Sequence, residues 1–317
     1  MKKRLLPLLL SLLLVLAGCG ARSADSLTVM TVGTADNGGT MYPVGSAIAQ
    51  VLEAADSSVR INLAASTGSY MNVDLLERGE IDLGLVSGDV AHEAVNGTGP
   101  YKEPCTELRA VAALYASTSG WMAPASLNVR YVHELKGLRL GVGPQDSGTE
   151  NASRLVLEAL DMTEGTLQRN CGLGSGVEEI YKGELDAVHG FAGTPIDGMV
   201  AMAEKTPSRL LFYTAEELDA ILARNASYFR TTIPAGSYPG QLTSVETFGV
   251  KCLLCVRASM PEEEVEKITR ILWENAGELG RYHPALAEMA DGDFVCTSLP
   301  IPLHSGAEKF YREQGLL

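Results

Sequence analysis

Short runs of β-branched and apolar residues alternate with longer amphipathic segments along most of the chain. The first four runs read LTVMTVG, RINLAA, IDLGLVSG and RAVAALYA. Segments with helical periodicity lie between and after them, at 42–55, 69–78 and 89–95. Because strand, helix and strand in succession form the unit of a mostly parallel sheet, this alternation predicts an α/β fold.

A second series of strands and helices follows the first. It runs from GLRLGVGP through a helix at 149–160 to LDAVHGFAG and RLLFYT, and a third section joins VETFGVKCLLCVRA to a helix at 261–276. If the third section returns to the first series, the chain crosses between two lobes near 117–124 and again near 240–247. The cleft between such lobes opens and closes as a hinge. Periodicity equally allows a linear arrangement of three parts.

The N-terminus has the pattern of a secretory signal. The basic stretch MKKR precedes an apolar run at 5–17 that is shorter than the about 18 to 20 residues a membrane-spanning helix needs. The letters LAGC, ending at Cys19, resemble a bacterial lipobox, whose cysteine carries a lipid. We therefore expect a lipoprotein signal peptide at 1–18, a linker at 19–26, and a protein anchored by lipid to the outer face of the cytoplasmic membrane, at the cell surface or in a periplasm.

The net charge limits the classes of molecule that the protein is expected to bind. The full chain has 25 basic and 39 acidic residues; loss of the signal's three basic residues leaves 22 and changes the net charge from −14 to −17. Such an acidic protein lacks the basic surface that nucleic-acid binding requires. About 300 residues remain, more than one core accommodates, so we expect two lobes; if the third section returns to the first series, they lie at 27–118 plus 246–317 and at 119–245.

The glycine-rich stretch TADNGGTMYP separates the first strand from the first helix. Backbone N–H groups and the positive end of the helix face any anion placed there, and Gly38 and Gly39 allow close approach. Thr40 adds a hydroxyl at the helix cap. The stretch matches neither the GxxxxGK pattern nor GxGxxG, so we expect an anion site other than a nucleotide site.

Three further loops place small or hydroxyl residues at the ends of strands. Open α/β sheets bind ligands at that edge, so the loops converge on one candidate site. Their candidate binding residues are Ser66, Thr67, Gly68 and Ser69, then Ser147, Gly148 and Thr149, and finally Phe191 and Gly193.

Residue patterns of catalytic and metal sites are scarce. The chain has no GxSxG or HExxH motif, and its five histidines, scattered without ligand spacing, are expected on the surface or satisfied in the core. Cys252 and Cys255 form a CxxC within a run typical of a buried strand, where residues three apart face opposite sides. We expect core cysteines there, and no metal or cofactor. An odd number of cysteines after Cys19 defines no complete disulfide framework; they are Cys105, Cys171, Cys252, Cys255 and Cys296.

Five separated blocks resemble the TAXI proteins, the extracytoplasmic solute receptors of one branch of TRAP transporters. The blocks are GGTMYPVGSAIAQVL, STGSYMNVDLLERGEIDLGLV, GVGPQDSGTE, TIPAGSYPGQ and PIPLHSGAEKFYRE, and the resemblance extends from Leu27 to Gly315. It implies the type II periplasmic-binding-protein fold, with two α/β lobes, two crossings and a ligand cleft. It also implies a binding protein, not an enzyme.

The resemblance further implies what the protein binds. Members deliver a small organic anion, a glutamate-like amino acid or a dicarboxylate, to a membrane permease driven by an ion gradient. The expected partners are this ligand, a TRAP membrane subunit with fused small and large parts, and the membrane through the Cys19 lipid. A monomer is expected.

Carried over residue by residue, the resemblance places part of each loop in the cleft. Two positions depart from the family pattern: Met41 replaces a second aromatic residue, and Ser87 replaces a glutamine, which enlarges the pocket. Both remain in the candidate set. The residues that match the family's cleft are Gly39, Thr40 and Tyr42, Thr67, Gly68 and Ser69, and Ser147, Gly148 and Thr149.

Two other functions fit the same sequence. An enzyme on this scaffold would use a carboxylate near the loops, with Asp89 and Glu150 as the first candidates. A ligand sensor would dock to a membrane receptor kinase in place of a permease. Product formation from the bound ligand would identify the enzyme, and a neighbouring kinase gene would identify the sensor.

The first prediction concerns the third loop. Thr149→Ala removes a hydroxyl expected to bind a carboxylate, so ligand affinity falls roughly tenfold to hundredfold while folding stability stays nearly unchanged. Calorimetric titration and thermal unfolding measure the two quantities. Unchanged affinity would remove this loop from the site.

Overall fold

A computed structural model of the protein describes residues 27–36 and 38–317. The predicted signal peptide at 1–18, the lipidation site Cys19 and the linker at 19–26 lie outside the described residues. Within the described part of the chain, none of the helices combines the length and the apolar character needed to cross a bilayer.

The first unit contains parallel strands with helices between them. Strand β1 lies between β2 and β3 and is parallel to both. The predicted alternation is confirmed here, with boundaries shifted by one or two residues. The elements are β1 (Thr28–Gly33), α1 (Met41–Ala55), β2 (Val59–Ala64), α2 (Ser69–Glu77), β3 (Leu83–Ser87) and α3 (Gly88–Asn96).

The second unit repeats this plan with shorter strands. Strand β5 pairs in parallel with β6 and β7. The elements are β5 (Arg139–Gly141), α4 (Gly148–Ala159), β6 (Leu167–Arg169), α5 (Leu173–Tyr181), β7 (Ala187–Gly193), α6 (Asp197–Lys205), β8 (Ser208–Leu210), α7 (Ala215–Leu222) and β9 (Phe229–Ile233).

Two long antiparallel strands, β4 (Leu108–Pro124) and β10 (Val245–Arg257), join the units. The sheet order is β2-β1-β3-β10-β4-β7-β5-β6, with β8 beside β4 and β9 beside β10. Strand β10 pairs with β9 at its start and with β3 towards its end. The third section therefore returns to the first unit, so the linear arrangement is not adopted.

The C-terminal helices cover the first unit. They are α8 (Glu262–Glu274), α9 (Ala276–Tyr282), α10 (Gly292–Cys296) and α11 (Ser305–Glu313), and short 3-10 turns lie at Ala125–Leu127, Val132–Leu135 and Pro284–Ala290. Residues of α8 and α11 pack with α1 in one apolar core on a face of the sheet.

Apolar clusters on both faces of the sheet mark where the chain changes unit. Along β4, Tyr115 belongs to the core of the first unit and Trp121 to the core of the second. Along β10, Val250 still packs in the second unit and Cys252 in the first. The first change overlaps the predicted crossing near 117–124, and the second lies a few residues beyond 240–247.

The cysteines of the CxxC lie within β10, as predicted. Cys252 and Cys255 are fully buried, and they belong to apolar clusters on opposite faces of the sheet. The five cysteines within the described residues are all free thiols. Burial raises the pKa of the Cys252 thiol to about 12, which keeps it protonated and unreactive.

Asn72 holds the first unit together at the edge where the loops emerge. Its amide, fully buried on α2, donates to the carbonyl oxygens of Thr34 and Leu85, each at 2.8 Å. Its Oδ1 lies 2.8 Å from the Ser66 hydroxyl. One side chain therefore ties the start of α2 to the ends of β1 and β3.

The second prediction tests this amide. Asn72→Leu removes the amide that donates to the Leu85 carbonyl and leaves the Thr34 carbonyl with the Ser66 hydroxyl at 2.9 Å, so the free energy of unfolding falls by about 1 to 3 kcal/mol. Denaturant titration measures the change. Asn96→Leu is the control because Asn96 is exposed and its amide bonds only within its own helical turn; equal losses in both variants would contradict the assigned role.

Candidate functional site

A small cavity of about 60 Å³ lies between the two units, at the carboxyl ends of their strands. Such a volume is far below the roughly 300 Å³ at which typical ligand pockets begin, so only a compact ligand fits. The lining residues are Ala35, Asp36, Gly39, Thr40, Met41, Thr67, Gly68, Ser69, Ser87, Tyr115, Ser117, Pro144, Ser147, Gly148, Thr149, Phe191 and Ala192.

Three helices, α1, α2 and α4, begin at this cavity. The first N–H groups of a helix have no partner within it, and the helix dipole adds positive potential at that end. Gly68, the residue before α2, has a φ of +124°, a value that side-chain-bearing residues rarely adopt. The predicted convergence of N-termini from separate loops is thus present in the structure.

Hydroxyl groups around the cavity also serve the protein itself. Ser147 accepts from the Glu150 N–H at 3.1 Å, which caps α4, and donates to the Pro144 carbonyl at 2.7 Å. Ser69 accepts from the Ser87 N–H at 2.9 Å. These bonds fix the loops before any ligand binds.

Thr40 differs from its predicted role. Its hydroxyl does not cap α1 but donates to the Gly193 carbonyl at 2.8 Å, and the side chain is almost fully buried. Since Thr40 belongs to the first unit and Gly193 to the second, this bond joins them across the cavity wall. Sequence spacing could not have revealed it, because the two residues are 153 positions apart.

Eleven of the fifteen candidate residues named from the sequence line the cavity, and four do not. The Gly38 carbonyl accepts from the Gly198 N–H at 3.4 Å, and the Gly193 carbonyl accepts from Thr40. The Ser66 hydroxyl shapes its own loop by accepting from the Gly68 N–H at 3.0 Å. Tyr42 is half-buried on α1, about 100° around the helix from Met41.

Sequence reasoning missed two chemically important lining residues, Asp36 and Tyr115. Asp36 lies inside the glycine-rich stretch TADNGGTMYP, but a carboxylate is not a group that is expected to bind an anion. Tyr115 lies in the apolar run that becomes β4, where an aromatic residue ordinarily indicates core. The other lining residues missed are Ala35, Ser117, Pro144 and Ala192.

Asp36 brings a partly buried carboxylate to the cavity. Burial raises its pKa above the ordinary range. The carboxylate lies against Gly172 of the second unit, where the Cβ of any larger residue would collide with Oδ2. Among the described residues, no lysine or arginine forms an ion pair with Asp36; a hydrogen bond from its own backbone N–H offsets part of the rise in its pKa.

Tyr115 brings a fully buried phenol to the same cavity. Its Oη has no accessible surface and lies beside the Cys252 thiol and the Ser117 hydroxyl, so the ring and not the hydroxyl faces the cavity. Burial holds its pKa well above the ordinary value, so the phenol is a neutral donor at physiological pH. Buried polar groups usually find a partner.

Residues 32–315 match the model of the NMT1-like family. The chain belongs to this family. It is a family of solute-binding proteins of the periplasmic type. The match covers both units and every residue that lines the cavity.

Solved structures show the same fold as this NMT1-like protein. MatC from Rhodopseudomonas palustris, with bound malate, has a TM-score of 0.58 at 13% identity, over 91% of this chain and 98% of that one. The alkanesulfonate-binding protein SsuA from Xanthomonas axonopodis pv. citri, bound to MOPS, has a TM-score of 0.51 at 15% identity, over 90% and 84%. The predicted periplasmic-binding-protein fold is confirmed.

The two carboxylates named as enzyme candidates lie outside the cavity lining of this NMT1-like protein. Asp89 is buried and accepts from the hydroxyl of Ser87 at 2.5 Å and that of Tyr228 at 2.8 Å. Glu150 accepts from Asn170 at 2.7 Å and from the Asp146 N–H at 2.6 Å. Asp89 thus links α3 to the second unit, and Glu150 stabilises its own loop.

The histidines occupy the positions expected of them. His189 is buried between the hydroxyls of Ser119 and Ser153, at 2.8 and 2.7 Å, and burial lowers its pKa to about 3. His283 and His304 cap helical turns, and the remaining two lie on the surface. Among the described residues no cluster of histidines, cysteines or carboxylates could hold a metal ion.

The third prediction uses the contact between Asp36 and the second unit. Gly172→Ala places a methyl group against Oδ2, and the flexible Asp36 side chain turns away to relieve the collision. We expect the carboxyl resonance of Asp36 to shift in the NMR spectrum of this variant. Gly174→Ala is the matched control because no atom lies near its added methyl; identical Asp36 resonances in both variants would contradict the contact.

Proposed function

We propose that this protein is an extracytoplasmic receptor that captures a small organic anion, a glutamate-like amino acid or a dicarboxylate. The observation that carries the proposal is the meeting of three helix N-termini at one cavity between two units. Backbone N–H groups and hydroxyls there are donors for a carboxylate, and each bond to a charged acceptor contributes about 1.5 to 3 kcal/mol.

Ligand binding is coupled to closure of the two lobes, taken as 27–118 plus 246–317 and 119–245. The helices α1 and α2 belong to the first and α4 to the second, so only the closed arrangement lets both contact one ligand. A ligand shifts such an equilibrium by its difference in affinity for the two states. The contacts of Thr40 with Gly193 and of Asp89 with Tyr228 stabilise the same closed arrangement.

The finer assignment follows the TAXI resemblance of the five sequence blocks. On this proposal the mature protein is anchored by the Cys19 lipid outside the cytoplasmic membrane, and a TRAP-type permease with fused subunits receives the ligand from a monomer. Catalysis and a cofactor have no part in it. The malate and MOPS named for the two solved structures are small organic acids, which agrees with this ligand class.

The fourth prediction is binding without turnover. Protein stripped of ligand by unfolding and refolding is titrated calorimetrically with glutamate, glutamine, 2-oxoglutarate, succinate and short hydroxy acids, and NMR follows the ligand afterwards. We expect one compound to bind with micromolar or tighter affinity and to stay intact. Conversion of the ligand to a product would show that the protein is an enzyme and not a receptor. Absence of binding across the panel would reject the proposed ligand class.

A further inference from the structure

The charge balance of the cavity does not match a simple anion site. Of the described residues that line it, none is lysine, arginine or histidine, and Asp36 is the only carboxylate. The surrounding protein is acidic as well, with a net charge of −14 over the full chain. A ligand that carried only negative charge would meet helix N-termini on several sides and a carboxylate on another.

An ammonium group resolves this mismatch at Asp36. Burial disfavours the ionised carboxylate, as the raised pKa shows, and a positive charge close by reverses that effect. Asp36 also lines the cavity between the units, although its Oδ2 lies against the backbone of Gly172. A ligand cation in the cavity would give it the ionic partner that no described lysine or arginine supplies.

We propose that Asp36 binds the ammonium group of the ligand, so that the cleft selects an amino acid over the same acid without the amine. The inference rests on the proposed receptor function and adds that the ligand carries a positive charge besides its carboxylate.

Matched ligand pairs test the role of Asp36 in the full-length protein. L-alanine is compared with propionate, L-serine with glycerate, and L-glutamate with glutarate, each by calorimetry. We expect at least one amino acid to bind roughly tenfold or more tightly than its partner, as for a desolvated charge pair. Asp36→Asn reduces that ratio towards one, by weakening the amino acid and strengthening the plain acid. Asp146→Asn, which removes an exposed carboxylate outside the cavity lining, leaves the ratio unchanged.

The outcomes separate the inference from the function on which it rests. Equal binding of an amino acid and its amine-free partner would overturn the assignment of Asp36 while leaving the receptor function in place. If Asp146→Asn also lost the preference for the amino acid, the assignment of Asp36 would be overturned, because the preference would then come from the overall negative charge of the protein. Absence of binding by every pair would overturn the inference; the proposed function would be rejected as well only if the panel of the fourth prediction also showed no binding.

Discussion

The antiparallel pairing of β4 with β10 is the constraint on which the rest of the molecule depends. Both strands belong to both halves of one sheet: β10 pairs with β9 and then β3, while β4 pairs with β10 and then β7. Each unit therefore lacks a complete core without a segment of both strands. The same pairing places the carboxyl ends of the two strand sets opposite each other, which creates the cavity.

The chemistry of the cavity follows from this arrangement. Tyr115 and Ser117 reach it from β4 itself, near the point where the strand leaves the first unit. Helix N-termini arrive from both sides, and they offer positive potential without basic side chains. Asn72 and the cap at Ser147 hold these ends in place. Donors in an acidic protein thus surround a single carboxylate, and this contrast is the basis of the ligand we propose.

Local pattern predicted the elements well where periodicity was strong, and less well where burial came from distant partners. The helices predicted at 42–55, 69–78 and 261–276 are present as α1, α2 and α8. They could be predicted because apolar residues at helical spacing form the one face that each helix buries. The strand RAVAALYA continues to Pro124 through small polar residues that resemble a loop. Those residues are held in the sheet by β7 and β10, which lie far along the chain.

The sequence by itself determined the α/β class and the three loops that carry most of the cavity residues, because short-range spacing encodes strands, helices and helix caps. Its resemblance to extracytoplasmic solute receptors gave the periplasmic-binding-protein fold. Periodicity left open whether the third section returns to the first unit, and the pairing of β10 with β3 shows that it does. The tertiary structure alone decided that the Thr40 hydroxyl bonds to Gly193, and that Asp36 and Tyr115 share one cavity. These facts depend on contacts between residues far apart in the chain, and such contacts leave no periodic signal in a single sequence.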